Sequence, residues 1–199
     1  MSGDAHRAPL LALGLGRVSV QQLETYLGLL ARWSRRTNLT AARSPDERVA
    51  VLVAPILAGR SFLRPGRLLD IGSGNGSPGL VLALLEPQLR VTLLEPRLRR
   101  WAFLREAARV LARLDLEIRR ERLEDYRGPA ADTVTLRALT LEAGQVAAQV
   151  GPSGRVLVWG RPLAGDTPEL TRLVRSEELQ VYERVSRETS GVSTAACFT

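Results

Sequence analysis

Apolar residues recur at helical spacing through the first sixty positions and gather into short continuous runs from residue 67 onward. Leu23, Leu27 and Leu30 mark one helix face, joined by Tyr26, Leu29 and Trp33, with Arg32, Arg35 and Arg36 on the opposite side. Ser19-Val20-Gln21-Gln22 reads as a capping box at its start. The helix should stop near Asn38-Leu39-Thr40. Ser44-Pro45-Asp46-Glu47 is a second start signal, with Pro at the first helical position and Glu three residues past the cap. The spacing of Val49, Leu52, Val53, Ile56 and Leu57 predicts one helix from there to Gly59.

Beyond residue 67 the runs predict strands at 67–71, 90–94, 116–120, 133–137 and 155–159. Helices fall between them near 78–86, 97–114 and 140–150, and Gly151-Pro152-Ser153-Gly154 forms the turn into the fifth strand. Pro168 after Asp166-Thr167 starts a helix near 168–176, and the tail reads as strands at 180–185 and 193–198 joined through Gly191. Alternating strands and helices point to an α/β fold with a mostly parallel sheet, closed here by a C-terminal antiparallel hairpin. The division expected is a helical extension over 1–60 and one domain over 61–199.

The chemistry gathers at Asp70-Ile71-Gly72-Ser73-Gly74-Asn75-Gly76-Ser77-Pro78-Gly79 and at Glu95, which closes the next apolar run. A strand ending in an acid, a glycine-dense loop and then a helix is how a βαβ unit holds a nucleotide-like ligand. Gly74 to Gly79 also fits G-x-G-x-x-G, a dinucleotide fingerprint. In that fingerprint the first glycine follows the strand directly, whereas here Asp70 to Ser73 intervene. A carboxylate at the strand end repels a pyrophosphate and favours the cationic methionine end of S-adenosylmethionine (SAM). SAM is therefore the favoured cofactor and a dinucleotide the alternative. Glu95 is placed to accept from both ribose hydroxyls, with a solvated strand-end acid as the plain alternative.

All 28 basic residues are arginine, and the net charge is +7. Lysine is absent, which removes Schiff-base chemistry and any lysine general base. Excess arginine favours a polyanionic partner. Of the many arginines, Arg105, Arg109 and Arg113 read as a solvated stripe, while Arg32, Arg35, Arg36, Arg43 and Arg48 lie nearer the expected mouth. One cysteine, Cys197, and one histidine, His6, leave no zinc set and no disulfide within the chain. Neither a signal peptide nor a membrane span is expected, so the predicted location is the cytoplasm.

Several longer stretches sharpen this picture. Trp33-Ser34-Arg35-Arg36-Thr37-Asn38-Leu39-Thr40 fits W-x-x-x-x-N-L-T, and the loop from Asp70 to Gly79 fits D-x-G-S-G-x-G-F-P-G except at Ser77. Leu93-Leu94-Glu95-Pro96 with Arg99, Arg100 and Phe103-Leu104-Arg105, then Arg122-Leu123-Glu124-Asp125 and Asp132 to Leu139, complete the set. In these motifs the chain resembles the bacterial small-subunit (16S) rRNA guanine-N7 methyltransferases known as RsmG or GidB, over about Val20 to Trp159. The resemblance implies a class I SAM-dependent methyltransferase fold, SAM as cofactor, and 16S rRNA or the 30S subunit as partner of a monomer without metal. It places SAM against Gly72, Ser77, Leu123, Glu124 and Arg137, with Glu95 on the ribose. The chain departs from the family in three places: its His-x-x-Asp-Ser falls at Leu52, Pro55 and Ile56, its bulky loop residue is Ser77, and the close of its fifth strand differs. The Lys-Gly that closes its fifth strand stands here as Gly160-Arg161.

The expected cofactor set is thus Asp70, Gly72, Ser73, Gly74, Gly76, Ser77, Glu95, Leu123, Glu124 and Arg137, with Arg137 also the catalytic candidate. Arg137 could hold guanine O6 or a flanking phosphate, or serve in a structural ion pair. Arg35, Arg36, Asn38 and Thr40 are the RNA candidates, though Asn38 and Thr40 could equally cap a helix end. Guanine N7 carries a lone pair and no proton, so positioning can supply most of the rate without a general base. A small-molecule methyltransferase and a SAM-binding protein with altered target specificity are the other readings.

Overall fold

The computed structural model describes residues 5–185, and the predicted strand at 193–198 and its Gly191 lie outside them. Four helices lead: α1 (Arg7–Ala12), α2 (Arg17–Trp33), α3 (Pro45–Leu52) and α4 (Ala54–Leu57). Then β1 (Arg67–Ile71), α5 (Gly79–Leu85), β2 (Arg90–Leu94), α6 (Leu98–Val110) and β3 (Glu117–Arg119) alternate. They are followed by β4 (Ala131–Arg137), α7 (Ala143–Ala147), β5 (Val150–Trp159), β6 (Leu170–Arg175) and β7 (Leu179–Arg184).

The seven strands form one sheet in the order β3-β2-β1-β4-β5-β7-β6. The first five are parallel, and β7 runs antiparallel to both β5 and β6. The chain winds outward in opposite directions from β1 and β4, so the carboxyl ends of those two strands form the switch point where such sheets bind ligands. Side-chain alternation sends Leu68, Val91, Leu93, Leu157 and Trp159 to one face and Leu69, Ile71, Leu136, Val156 and Val158 to the other. Tyr26, Leu27 and Leu30 of α2 join the first cluster beside Leu80, Leu82, Phe103 and Leu104, so the N-terminal helices share their core with α5 and α6.

The strands at 67–71 and 90–94 coincide with prediction, and four local readings need correction. α2 begins at Arg17, with Gly16 extended before it and no side-chain cap, so Ser19 already lies inside the first turn and caps nothing. The Ser44 capping box is present in full, with both reciprocal hydrogen bonds. The helix it starts, however, breaks at Val53 into α3 and α4. Pro55 causes the break, because it brings no N–H for the carbonyl four residues earlier, that of Val51. Third, residues 170–175 form β6 and no helix. The open edge of β7 offers a hydrogen-bonding ladder, and the β-branched Thr171 and Val174 suit it better than the weak helix start at Pro168. Finally, Gly151 to Gly154 are an irregularity within β5, which pairs with β4 first at Val150 and again at Arg155.

Candidate functional site

Strand parity decides where the loop carboxylate goes. Asp70 alternates with Leu69 and Ile71 and so faces α5, fully buried. Its Oδ1 accepts from Thr135 Oγ1 at 2.7 Å, its partner position across β1 and β4. The other oxygen faces the start of α5, where a Cβ on Gly79 would lie 2.4 Å from Oδ2. Burial pushes the Asp70 carboxyl up to about 6, against the pull of the Thr135 and Ser73 hydrogen bonds. Asp70 therefore shapes the loop from beneath and lines no cleft. With an acid under its first residue, α5 has no bare amino end to offer a pyrophosphate.

Above Asp70 the loop is held at each turn. Ser73 Oγ donates to the Asp70 carbonyl, and the Ser73 N–H to the carbonyl of Leu94, joining the ends of β1 and β2. Gly72 takes φ +69°, and Leu139 packs so closely that a Cβ at Gly72 would sit 2.3 Å from its Cδ1. Glu95, almost fully buried, accepts from the Gly74 N–H at 2.9 Å through Oε2 and from the Arg97 N–H at 2.8 Å through Oε1. Each oxygen keeps a further lone pair for a ligand. Gly76 packs against Leu80 and Tyr26 and lines no cleft.

Two clefts meet over Gly72, Arg100 and Leu139. One, of about 220 Å³, has Ile71, Leu94, Pro96, Leu123 and Leu141 as apolar walls and Glu95, Glu121 and Glu124 as acids. The second, of about 300 Å³, is lined by Thr40, Ser73, Gly74, Asn75, Ser77 and Arg137 among others. An apolar slot with a carboxylate at the end of β2 fits a nucleoside, and a second chamber across Gly72 fits a sulfonium arm and an acceptor.

Arg137 is the link between this second chamber and the N-terminal helices. Its Nη1 donates to Ser77 Oγ at 2.9 Å and its Nη2 to the Val51 carbonyl at 2.7 Å. Ser77 Oγ in turn donates to the Leu52 carbonyl at 2.7 Å. Both acceptors lie just before the break at Val53, where Pro55 leaves backbone carbonyls without helical partners. The departures at Leu52, Pro55 and Ser77 are thus one connected arrangement. No carboxylate pairs with Arg137 among the described residues.

The structure brings Gly72, Ser73, Gly74, Ser77, Glu95, Leu123, Glu124 and Arg137 to the two clefts and leaves Asp70 and Gly76 behind the loop. Of the RNA candidates, Arg35, Asn38 and Thr40 line a wider groove between α2 and α3, while exposed Arg36 points elsewhere. The expected stripe of Arg105, Arg109 and Arg113 is broken, because α6 ends at Val110 and Arg113 lies beyond it. Arg113 is buried and holds Asp115 through two hydrogen bonds and the Ala83 carbonyl through a third. Residues missed by sequence reasoning are Arg100 and Leu139, which line both clefts, and Asn75, at the variable position of the loop motif. A basic residue in the first helical turn after the acid that ends β2 was the available signal for Arg100.

The sheet order, the glycine loop and the acid at the end of β2 define a class I SAM-dependent methyltransferase. Residues 19–157 match the family model described as rRNA small subunit methyltransferase G, and the chain belongs to that family. It is 39% identical over 154 residues to the ribosomal RNA small subunit methyltransferase G of Xanthomonas axonopodis pv. citri (strain 306), covering 72% of this chain and 73% of that protein. The protein of the same name from Halorhodospira halophila (strain DSM 244 / SL1) is 35% identical over 177 residues, covering 87% and 84%. Among solved structures, an rRNA methylase from Streptococcus thermophilus superposes with a TM-score of 0.50 at 14% identity, over 66% of this chain and 97% of that one. At that identity the likeness concerns the fold. No helix among the described residues is long and apolar enough to cross a membrane.

Proposed function

We propose that this protein transfers the methyl group of SAM to N7 of a guanine in 16S rRNA, as a monomer in the cytoplasm, on naked RNA or the 30S subunit. The observation that carries the reading is the second chamber, where Arg137 and Thr40 face the glycine loop and Thr40 also lines the arginine groove. Bound SAM would supply an electrophilic methyl carbon on a sulfonium leaving group. Glu95 would hold the ribose diol through its remaining lone pairs, and Leu123 and Glu124 would flank the adenine. Arg137, fixed by Ser77 and Val51, keeps further N–H donors for guanine O6 or a neighbouring phosphate, leaving N7 open to attack. No proton leaves N7, so alignment rather than a base sets the rate. The helical segment 1–60 would then be the RNA-facing extension of a methyltransferase domain over 61–199. The groove supports this reading over a small-molecule methyltransferase, which has no use for an open arginine-lined channel.

Mapping N7-methylguanosine in 16S rRNA from a deletion strain, with and without the restored gene, tests it. One modified guanine should disappear and return. Unchanged 16S rRNA methylation in the deletion strain refutes the proposal.

A further inference from the structure

Residues 38–43, between α2 and α3, wall two cavities at once. Asn38, Thr40 and Arg43 line a groove of about 860 Å³ with Arg32, Arg35 and Arg48. None of its lining residues is acidic, and these four arginines make no salt bridge among the described residues. Two acids neighbour the groove at the start of α3: Asp46, near His6, and Glu47, which accepts from the Arg43 and Ser44 N–H groups. On the other side Leu39 and Thr40 line the chamber that holds Arg137.

A single side chain ties this wall to the glycine loop. Asn75 Nδ2 donates to the Leu39 carbonyl at 3.0 Å, while its Oδ1 accepts from the Ser77 N–H at 3.1 Å. Its backbone is fixed separately, because the hydroxyl of fully buried Tyr26 donates to the Asn75 carbonyl at 2.8 Å. The Asn75 amide is therefore shared between the cofactor loop and the segment that walls the groove.

We propose that Asn75 is a positioning residue that couples an RNA strand in the arginine groove to SAM in the cleft; this rests on the rRNA reading above. Phosphates gripped by Arg32, Arg35 and Arg43 favour one ordered placement of residues 38–43, which Arg48 already braces by donating to the Arg43 carbonyl. The Asn75 amide passes that order to Ser77 and the loop. A segment already ordered by one ligand lowers the entropic cost of binding the other. The coupling is reciprocal, so SAM tightens RNA binding by the same factor.

The test is calorimetric titration of the whole protein with S-adenosylhomocysteine, which blocks transfer, with and without saturating 16S rRNA transcript. Wild type should bind it about five- to tenfold more tightly when RNA is present. Asn75→Asp keeps an acceptor for the Ser77 N–H and loses the donor to Leu39, and its enhancement should fall below about twofold. Asn75→Ala should lose the enhancement as well. The ratio is taken within each variant, so a changed baseline affinity cancels. Equal enhancement in wild type and both variants, or none in a wild type that binds RNA, overturns the coupling. A wild type that binds neither the transcript nor 30S subunits, titrated in the same way, overturns the rRNA reading and the coupling with it.

Discussion

Arg137 Nη2 donates to the carbonyl of Val51 at 2.7 Å, joining the end of β4 to the broken end of α3. The acceptor is available because Pro55, four residues on, has no N–H to fill it. A proline in a surface helix thereby places a guanidinium in the candidate active site. Pro55→Ala should restore an N–H that competes for the Val51 carbonyl. Melting should show the variant at least as stable as wild type, while kcat on 30S subunits falls by about 1–3 kcal/mol in transition-state terms. Unchanged kcat would separate Arg137 placement from the helix break.

Arg137→Ala removes both donors and leaves Ser77 Oγ with the Leu52 carbonyl alone. Turnover at saturating SAM should drop by about 2–4 kcal/mol, because misplacing the reacting atoms by ~1 Å is costly. Wild-type turnover should show no general-base titration between pH 6 and 9. A bell-shaped profile there, or full methyl transfer by Arg137→Ala, contradicts the alignment mechanism.

Glu95→Ala should weaken SAM by roughly 1–3 kcal/mol in calorimetry, the cost of charge-assisted hydrogen bonds left unmade. Part of that loss comes from the Gly74 and Arg97 N–H groups, which lose their acceptor. NAD should give no heat with wild type. Tight NAD binding without SAM binding would reverse the cofactor assignment.

Asp70 gives the fold a pH signature. Burial lifts its carboxyl from 3.8 to about 6 in the folded chain. Well below the lower value the group is protonated in both states and leaves stability unaffected. As pH rises between the two values the unfolded chain ionises first, the folded chain binds more protons, and stability falls. The loss is complete above about pH 6 and is on the order of 3 kcal/mol. Glu47, Glu106 and Asp115, held below their usual values by hydrogen bonds, act in the opposite direction and are common to both proteins compared. Asp70→Asn should therefore gain stability relative to wild type between pH 4 and pH 7, read from urea midpoints at each pH. A constant difference would show that Asp70 is ionised throughout.

Arg35 lines the groove and Arg36 does not. Arg35→Ala should flatten the salt dependence of rRNA affinity by about one unit per lost phosphate contact, and Arg36→Ala should leave the slope alone. Equal slopes in the two variants would remove the groove from the RNA path.

The glycine loop, the acid at Glu95 and the parallel strands were legible in the sequence because they depend on local signals: positive-φ glycines, short apolar runs and a Ser44 cap with its Glu47. Those signals sufficed for the class of fold and for the loop and strand-end residues Gly72, Ser73, Gly74, Ser77 and Glu95 that line the clefts. β6 was illegible because strand pairing, not propensity, decides a segment lying beside the open edge of β7. The inward turn of Asp70 follows from strand parity, but its partners do not: Thr135 lies 65 residues away and meets it only through the β1–β4 register. Likewise Asn75 occupied a variable position in the motif, and its bond to Leu39 exists only once α2 packs on α5. Local rules determined the elements and the loop. Which polar groups meet across them was decided by tertiary packing, since buried donors and acceptors must find partners wherever folding brings them.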